Sequence, residues 1–178
     1  EGFIKRLNGK GSIVVERRKS LGLLNVKGFS EAVGEKVKTI FLQSPTESDW
    51  NGEIFSSVNT EDKQEVCLFF ERLRFVADVP VMLEKNWFPA TALSEFVNSE
   101  FIEGSFFKTL SSIYLIEIVG SSSEIRAELA NEKVAQLLQI ETAAPILHIS
   151  IKFKTSNPKL TIYSELYCNT QKFPVGSS

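Results

Sequence analysis

The segment from Ile146 to Phe153 alternates Leu147, Ile149, Ile151 and Phe153 with His148, Ser150 and Lys152. Leu160 to Cys168 alternates in the same way beyond a turn at Thr155 to Lys159. A side-chain period of two places the apolar set on one face of an extended chain, so each segment reads as a strand with one buried face. So short a connection joins antiparallel neighbours, because parallel strands need a crossover of a dozen residues or more. The pattern recurs upstream, where Glu65 to Val76 and Val81 to Trp87 flank Ala77-Asp78-Val79-Pro80 as a second hairpin, and Val37 to Leu42 reads as a further strand before a loop at Gln43 to Asn51.

Between these lie brief helices, expected at Thr91 to Val97, at Ser105 to Leu110, and after Asn131, whose side chain can cap a helix with Val134, Leu137 and Leu138 on one face. Ile113 to Val119 is expected to be a strand that runs past Ser121-Ser122-Ser123, a bulge or twist, to Leu129. The expected fold class is α+β: an antiparallel β-sheet with helices packed against it. With 178 residues, 43% of them hydrophobic, one domain can bury its own core.

The first residues differ in character. Two short apolar runs surround Asn8-Gly9-Lys10-Gly11, a hairpin signal. Residues 1–19 hold six bases against two acids, a net of +4, so the remainder nets −6 within the total of −2. A basic tip on an acidic body suits contact with a polyanion at one end, and a solvated, disordered terminus is the competing reading. Glu16 to Asn25 reads as a charged linker. A start at Glu1 rather than methionine is expected to reflect residues removed upstream. No stretch has the length and apolarity of a bilayer span, and no signal peptide is legible, so a cytoplasmic protein without a membrane partner is expected.

Several chemistries lack their residues. Cys67 and Cys168 are far apart in strand-like segments, so a metal knuckle or redox motif is excluded, and two reduced, packed thiols are expected rather than a disulfide. No His, Cys and carboxylate cluster suggests a metal, no phosphate-binding glycine loop is present, and no cofactor is expected. The one histidine, His148, lies on the polar parity of its strand and reads as a surface or edge residue rather than a catalytic base; no catalytic residue is assigned.

One strand carries more information. Arg72 and Arg74 share a face with Val66, Leu68 and Phe70, so two guanidiniums end an apolar row. At ~6.6 Å and an effective dielectric near 20 they repel by roughly 2.5 kcal/mol, and burial would demand a nearby anion. If Ala77 to Val79 form a three-residue loop, position 76 faces 80, and Arg72 faces Glu84 in a bidentate pair that leaves Arg74 for another partner. Arginines on a solvated face are the alternative. Gly104-Ser105 before Phe106-Phe107 has the form of a helix start, where free N–H groups attract phosphate or carboxylate, and Gly28-Phe29-Ser30 is a similar turn.

These pieces together resemble one family. Gly2 to Arg6 followed by Gly9-Lys10-Gly11-Ser12-Ile13-Val14 is similar to the wing of the winged helix-turn-helix domain of GntR regulators. Gly28-Phe29-Ser30-Glu31, Arg72-Leu73-Arg74 through Pro80 to Glu84, Gly104-Ser105-Phe106-Phe107, Pro145-Ile146-Leu147 and Tyr167 follow the order of the HutC subfamily, whose effector domain, UTRA, is chorismate-lyase-like. The resemblance implies residues 1–15 as a wing remnant, 16–25 as linker and 26–175 as an effector-binding UTRA domain. It further implies a homodimer that binds a small effector, anionic or sugar-like, in a pocket made by Phe29, Ser30, Arg72, Arg74, Glu84, Gly104, Ser105, Phe107, Thr161 and Tyr167. Lys5, Arg6 and Lys10 would contact DNA in the full-length protein, though this fragment alone would bind it poorly. Phe107 stands where relatives commonly have tyrosine, and Thr161 where many have glutamate. The implied function is a non-enzymatic sensing domain of a transcription repressor; a chorismate-lyase-type enzyme and a pure dimerisation module are the alternatives.

Overall fold

The computed structural model describes residues 3–7, 11–15, 37–50, 54, 58–93, 96, 101–171 and 174, the first two segments through their backbone pairing. Strands β1 (Phe3–Leu7) and β2 (Gly11–Val15) form an antiparallel hairpin with Phe3 opposite Val15, the expected pair around the glycine-rich tip.

The larger sheet has six strands: β3 (Val37–Ser48), β4 (Cys67–Val76), β5 (Val79–Pro89), β6 (Ile118–Leu129), β7 (Pro145–Thr155) and β8 (Thr161–Cys168). Their order is β3-β4-β5-β8-β7-β6, and every neighbouring pair is antiparallel. After β5 the chain crosses one face, through single-turn helices at Ala90–Leu93 and Ile102–Gly104 and helix α1 (Phe106–Tyr114), to reach the far edge as β6. Helix α2 (Glu132–Leu138) leads back to β7, and β8 closes the sheet against β5. The α+β class expected from the alternating strands is the one observed.

Several local expectations are corrected. The turn between β4 and β5 has two residues, not three: Ala77 and Asp78 adopt φ of 46° and 61°, and Val76 pairs with Val79. This left-handed pair matches the twist of a tight hairpin, which a three-residue loop would not need. Strand β3 runs through the expected loop to Ser48. Its ladder shifts twice, between Phe41 and Gln43 and between Gln43 and Thr46, and Pro45 is tolerated because an edge strand has N–H positions that face no partner.

The residues expected as a strand from Ile113 divide instead. Ser105 caps α1, its hydroxyl accepting from Lys108 N–H at 3.3 Å, and Phe106 and Leu110 bury one helical face. Leu115, at φ 54°, ends the helix, and β6 begins at Ile118. The three serines pair in register with Phe153, Lys152 and Ile151, and the irregularity falls at Val119. Of the helix expected from Thr91 to Val97, the structure describes the stretch Ala90–Leu93, and positions 94, 95 and 97 lie outside the described residues. Asn131 caps α2 as expected, accepting from Val134 N–H at 2.9 Å.

The central strands are buried on both faces, not one. Phe70, Val76, Met82, Phe88, Ile149, Ile151, Ile162 and Leu166 pack under α1 with Phe96 and Phe106. On the reverse, Leu73, Phe75, Leu83 and Ile146 pack against Val134, Ala135 and Leu138 of α2, while Cys67, Trp87 and Tyr163 form a second apolar group. Between those two groups the reverse face is polar. Glu71, Lys85, Glu165 and Ser150 stand in one cross-strand row, and the row is buried because its members satisfy one another: Ser150 donates to Glu165 at 2.7 Å and Lys85 stands 3.9 Å from Glu71.

Candidate functional site

Residues of even number on β4, and on β5 from Met82 onward, face α1, so Arg72, Arg74, Glu84 and Asn86 all meet on that side. The two arginines are 1% and 2% exposed, which removes the reading of a solvated pair. Their burial is compensated by one carboxylate: Arg72 Nη2 donates to Glu84 Oε1 at 2.7 Å, and Arg74 Nη1 donates to Oε2 at 3.1 Å. Glu84 is thus not the bidentate partner of Arg72 alone but is shared, one oxygen to each guanidinium.

Further groups fix this arrangement. Asn86 Nδ2 donates to Glu84 Oε1 at 3.0 Å, and Ser164 Oγ donates to Asn86 Oδ1. Arg72 Nη1 donates to the Gly104 carbonyl at 3.0 Å, which ties the arginine to the turn just before α1. That turn is left-handed at Glu103 (φ 50°) and Gly104 (φ 67°). Glycine suits the second position because its φ lies in the left-handed region that side chains with a Cβ rarely adopt. The rings of Phe70, Phe101 and Phe41 surround the Arg72 guanidinium at 4.9, 5.2 and 5.8 Å, a geometry in which ring quadrupoles offset part of the lost hydration.

The charges respond to this setting. Burial alone would raise the Glu84 carboxyl, but Arg72 and Arg74 outweigh it and hold the group below the ordinary carboxylate range. Burial and the neighbouring Arg72 bring Arg74 down to about 10, against the pull of Glu84. Among the described residues, this face therefore carries two guanidiniums and one carboxylate in a dry environment, with the Nε–H of Arg72 lacking a hydrogen-bond partner.

Of the residues inferred from the sequence, Arg72, Arg74, Glu84, Gly104 and Ser105 come together here. Phe107 lies one step away, half-buried against the apolar core and edge-on to Phe153 at 4.9 Å. Thr161 and Tyr167 do not join them. Glu84 is opposite Leu166 and Leu83 is opposite Tyr167, so Tyr167 and Thr161 point to the reverse face, and Ile162, Ser164, Leu166 and Cys168 are what β8 offers the arginines. Phe29, Ser30 and Lys10 lie outside the described residues, as do the side chains of Lys5 and Arg6.

Asn86 and Ser164 are absent from the sequence-derived set. Asn86 was within reach, since it is two residues from Glu84 on the same strand. Ser164 needed the β5–β8 register, which alternation alone does not supply. His148 is a correction: it is 5% exposed, with Nε2 2.7 Å from Glu165 and Nδ1 2.9 Å from Glu128, and its ring stacks on Tyr167 at 4.4 Å. It reads as polar by parity, yet the reverse face it occupies is also covered.

The chain is similar to transcription regulators along most of its length. It is 26% identical over 160 residues to the HTH-type transcriptional regulator GmuR of Bacillus subtilis, covering 84% of this chain and 64% of that one. It is 23% identical over 176 residues to a probable fructoselysine utilization operon transcriptional repressor of Shigella flexneri, covering 97% and 71%. The chain thus spans about two thirds of the length of these relatives. The crystal structure of the possible transcriptional regulator YydK from Bacillus subtilis superposes with a TM-score of 0.75 at 18% identity, over 99% of this chain and 76% of the other. Solved GntR-family regulators share the fold. The class so defined is one whose named members are transcription regulators, GntR-family ones among them. The chain belongs to the UTRA domain family, whose profile matches residues 32–174.

Proposed function

We propose that this chain is the ligand-sensing and dimerisation part of a GntR/HutC-type transcription repressor, and that the sensed metabolite presents an anionic group, phosphate or carboxylate, to Arg72 and Arg74. The observation that supports this is the sharing of one carboxylate by two almost fully buried guanidiniums beside the first turn of α1. Helix N-termini and paired arginines both favour anions, and in a dry site each interaction is worth more than in water. The fructoselysine-operon relative favours a sugar derivative as the metabolite's remainder.

In this reading residues 1–15 are the last hairpin of a winged helix-turn-helix domain, and Lys5, Arg6 and Lys10 approach DNA in the full-length protein. A wing contacts mainly backbone and minor groove, so the 178 residues alone bind DNA weakly; a gel shift showing tight, sequence-specific binding by this chain would contradict that. An effector shifts DNA binding only if it prefers one arrangement of the heads. Phe29 and Ser30, in the segment that joins the wing to the sheet, are the residues proposed to transmit occupation, and hydrogen exchange over residues 20–35 should change when ligand binds.

The direct experiment is a thermal-shift series with inorganic phosphate, glucose 6-phosphate, citrate and glucose. A ligand at 100 times its dissociation constant stabilises by about 2.7 kcal/mol. Stabilisation by a phosphorylated or carboxylated compound, lost in Arg74→Gln, is expected. A preference for glucose over its phosphate, or no response to any anion, overturns the anionic assignment.

A further inference from the structure

The two edges of the main sheet differ. Strand β3 is interrupted by Pro45 and by two shifts of its ladder, devices that discourage pairing with another chain. Strand β6 has no proline, and its one shift falls at its start, between Ile118 and Gly120. From Gly120 to Leu129 its register with β7 is unbroken, and it exposes Val119, Ile125 and Leu129 at 65%, 47% and 69%. A long, regular edge with apolar side chains is a template for a further strand.

The sequence of β6 states which strand fits. When two copies of one strand pair antiparallel and extend a sheet, a twofold axis passes through a residue and opposed positions share a face. Centred on Ile125, the pairing covers Ser121 to Leu129, nearly the whole regular segment. Glu124 then faces the partner subunit's Arg126, and Arg126 faces the partner subunit's Glu124. Ser123 faces the partner's Ala127, and Ile125 meets the partner's Ile125. Within one chain Glu124 and Arg126 already share a face, 3.3 Å apart and still exposed. Moving the centre by one residue destroys the match: on Arg126 it opposes two arginines and sets Glu124 against Glu128, and on Glu124 it opposes two glutamates.

We infer that a second copy of this chain docks on β6, antiparallel and centred on Ile125, so that two six-stranded sheets become one continuous sheet. The inference rests on the homodimer reading above and specifies its surface. It also gives the dimer a geometric link to the candidate site, since β6 is joined through β7 and β8 to β5, which carries Glu84.

The test uses the 178-residue chain in analytical ultracentrifugation and mild oxidation. Ile125→Cys should cross-link to itself, because opposed residues lie within disulfide reach, whereas Ser123→Cys should not, its two copies being about 13 Å apart along the strands. Glu124→Arg should weaken dimerisation at least tenfold, and the double variant Glu124→Arg with Arg126→Glu should restore it. Circular dichroism confirms folding, which these exposed positions should leave intact. A dimer indifferent to Glu124→Arg, with no Ile125→Cys cross-link, overturns the β6 surface while the homodimer and its ligand response stand. A chain that stays monomeric at high concentration overturns the homodimer as well, and the thermal-shift series with phosphates reports on ligand binding separately.

Discussion

Arg72 and Glu84 stand directly opposite each other because two departures from a regular hairpin cancel. The turn has two residues where three were expected, which alone would shift the pairing by one and send Glu84 to the reverse face. The ladder slips by one residue between Arg74 and Phe75: Phe75 pairs with Pro80, Arg74 with Met82, and Val81 is the extra residue. The bulge returns every residue beyond it to the register that the sequence implied, and the carboxylate meets both arginines.

Removing that carboxylate should be costly. Glu84→Gln leaves two guanidiniums, each nearly unexposed, to repel one another without a counter-charge. Breaking a buried ion pair on one side typically costs ~3–5 kcal/mol, so the variant should lose about that much in urea unfolding. Converting all three residues together to apolar ones, Arg72→Met, Arg74→Leu and Glu84→Leu, should be far milder in stability while abolishing the response to phosphate-bearing ligands. A Glu84→Gln protein as stable as the parent would show that the carboxylate is not the arginines' main counter-ion.

The β4–β5 turn carries strain that sequence design can remove. Ala77 and Asp78 both sit at positive φ, which disfavours side chains with a Cβ and favours Asn-Gly. Replacing the pair by Ala77→Asn with Asp78→Gly should raise stability by about 1 kcal/mol, read as a higher urea midpoint at unchanged slope. A lowered midpoint would mean that the present side chains hold the turn through contacts that offset the strain.

The sheet was largely legible because alternation marks strands directly: β4, β5, β7 and β8 follow their apolar periods, and the arginine pair, Glu84 and the Gly104-Ser105 turn follow from parity and turn chemistry. What escaped was what alternation does not encode. Ile113 and Tyr114 belong to a helix because the Ser105 cap and the i, i+4 pair Phe106 and Leu110 set a period of 3.6 that short apolar runs disguise. Tyr167 and Thr161 were assigned to the arginines by resemblance, and the β5–β8 register puts them one residue out of phase. His148 was misread because polar parity was equated with solvent, whereas Glu165, Ser150 and Lys85 make a buried polar row on that face.

The two thiols should be inert in the native state. Cys67 pairs opposite Pro89 and Cys168 opposite Met82, on opposite faces of the sheet and seven residues apart along β5, roughly 23 Å. Both are free and buried. Burial pushes the Cys67 thiol up to about 12, despite a backbone hydrogen bond that favours the thiolate, and burial raises Cys168 strongly as well. A thiol-specific chromogenic reagent at mildly alkaline pH should therefore label neither until guanidinium unfolds the chain, and a reductant should leave the melting temperature unchanged. Rapid labelling of one native thiol would contradict its placement.

His148 should make stability fall as the solution turns alkaline. Burial by itself would lower the imidazole, but hydrogen bonds to Glu165 and Glu128, and their charges, raise it above 6.5. An ionised carboxylate can only accept, so both ring nitrogens are satisfied together in the imidazolium form. A group whose folded value lies above its unfolded one contributes fully below the unfolded value, and that contribution is lost as pH rises through the folded value. Unfolding free energy should thus decline from about pH 6.5 upward, and His148→Gln should flatten the decline. The chain has a single histidine, so one imidazole resonance reports the titration in the native protein without assignment. A midpoint below 6.5, or a His148→Gln protein that keeps the full slope, would show that the two carboxylates do not hold the ring charged.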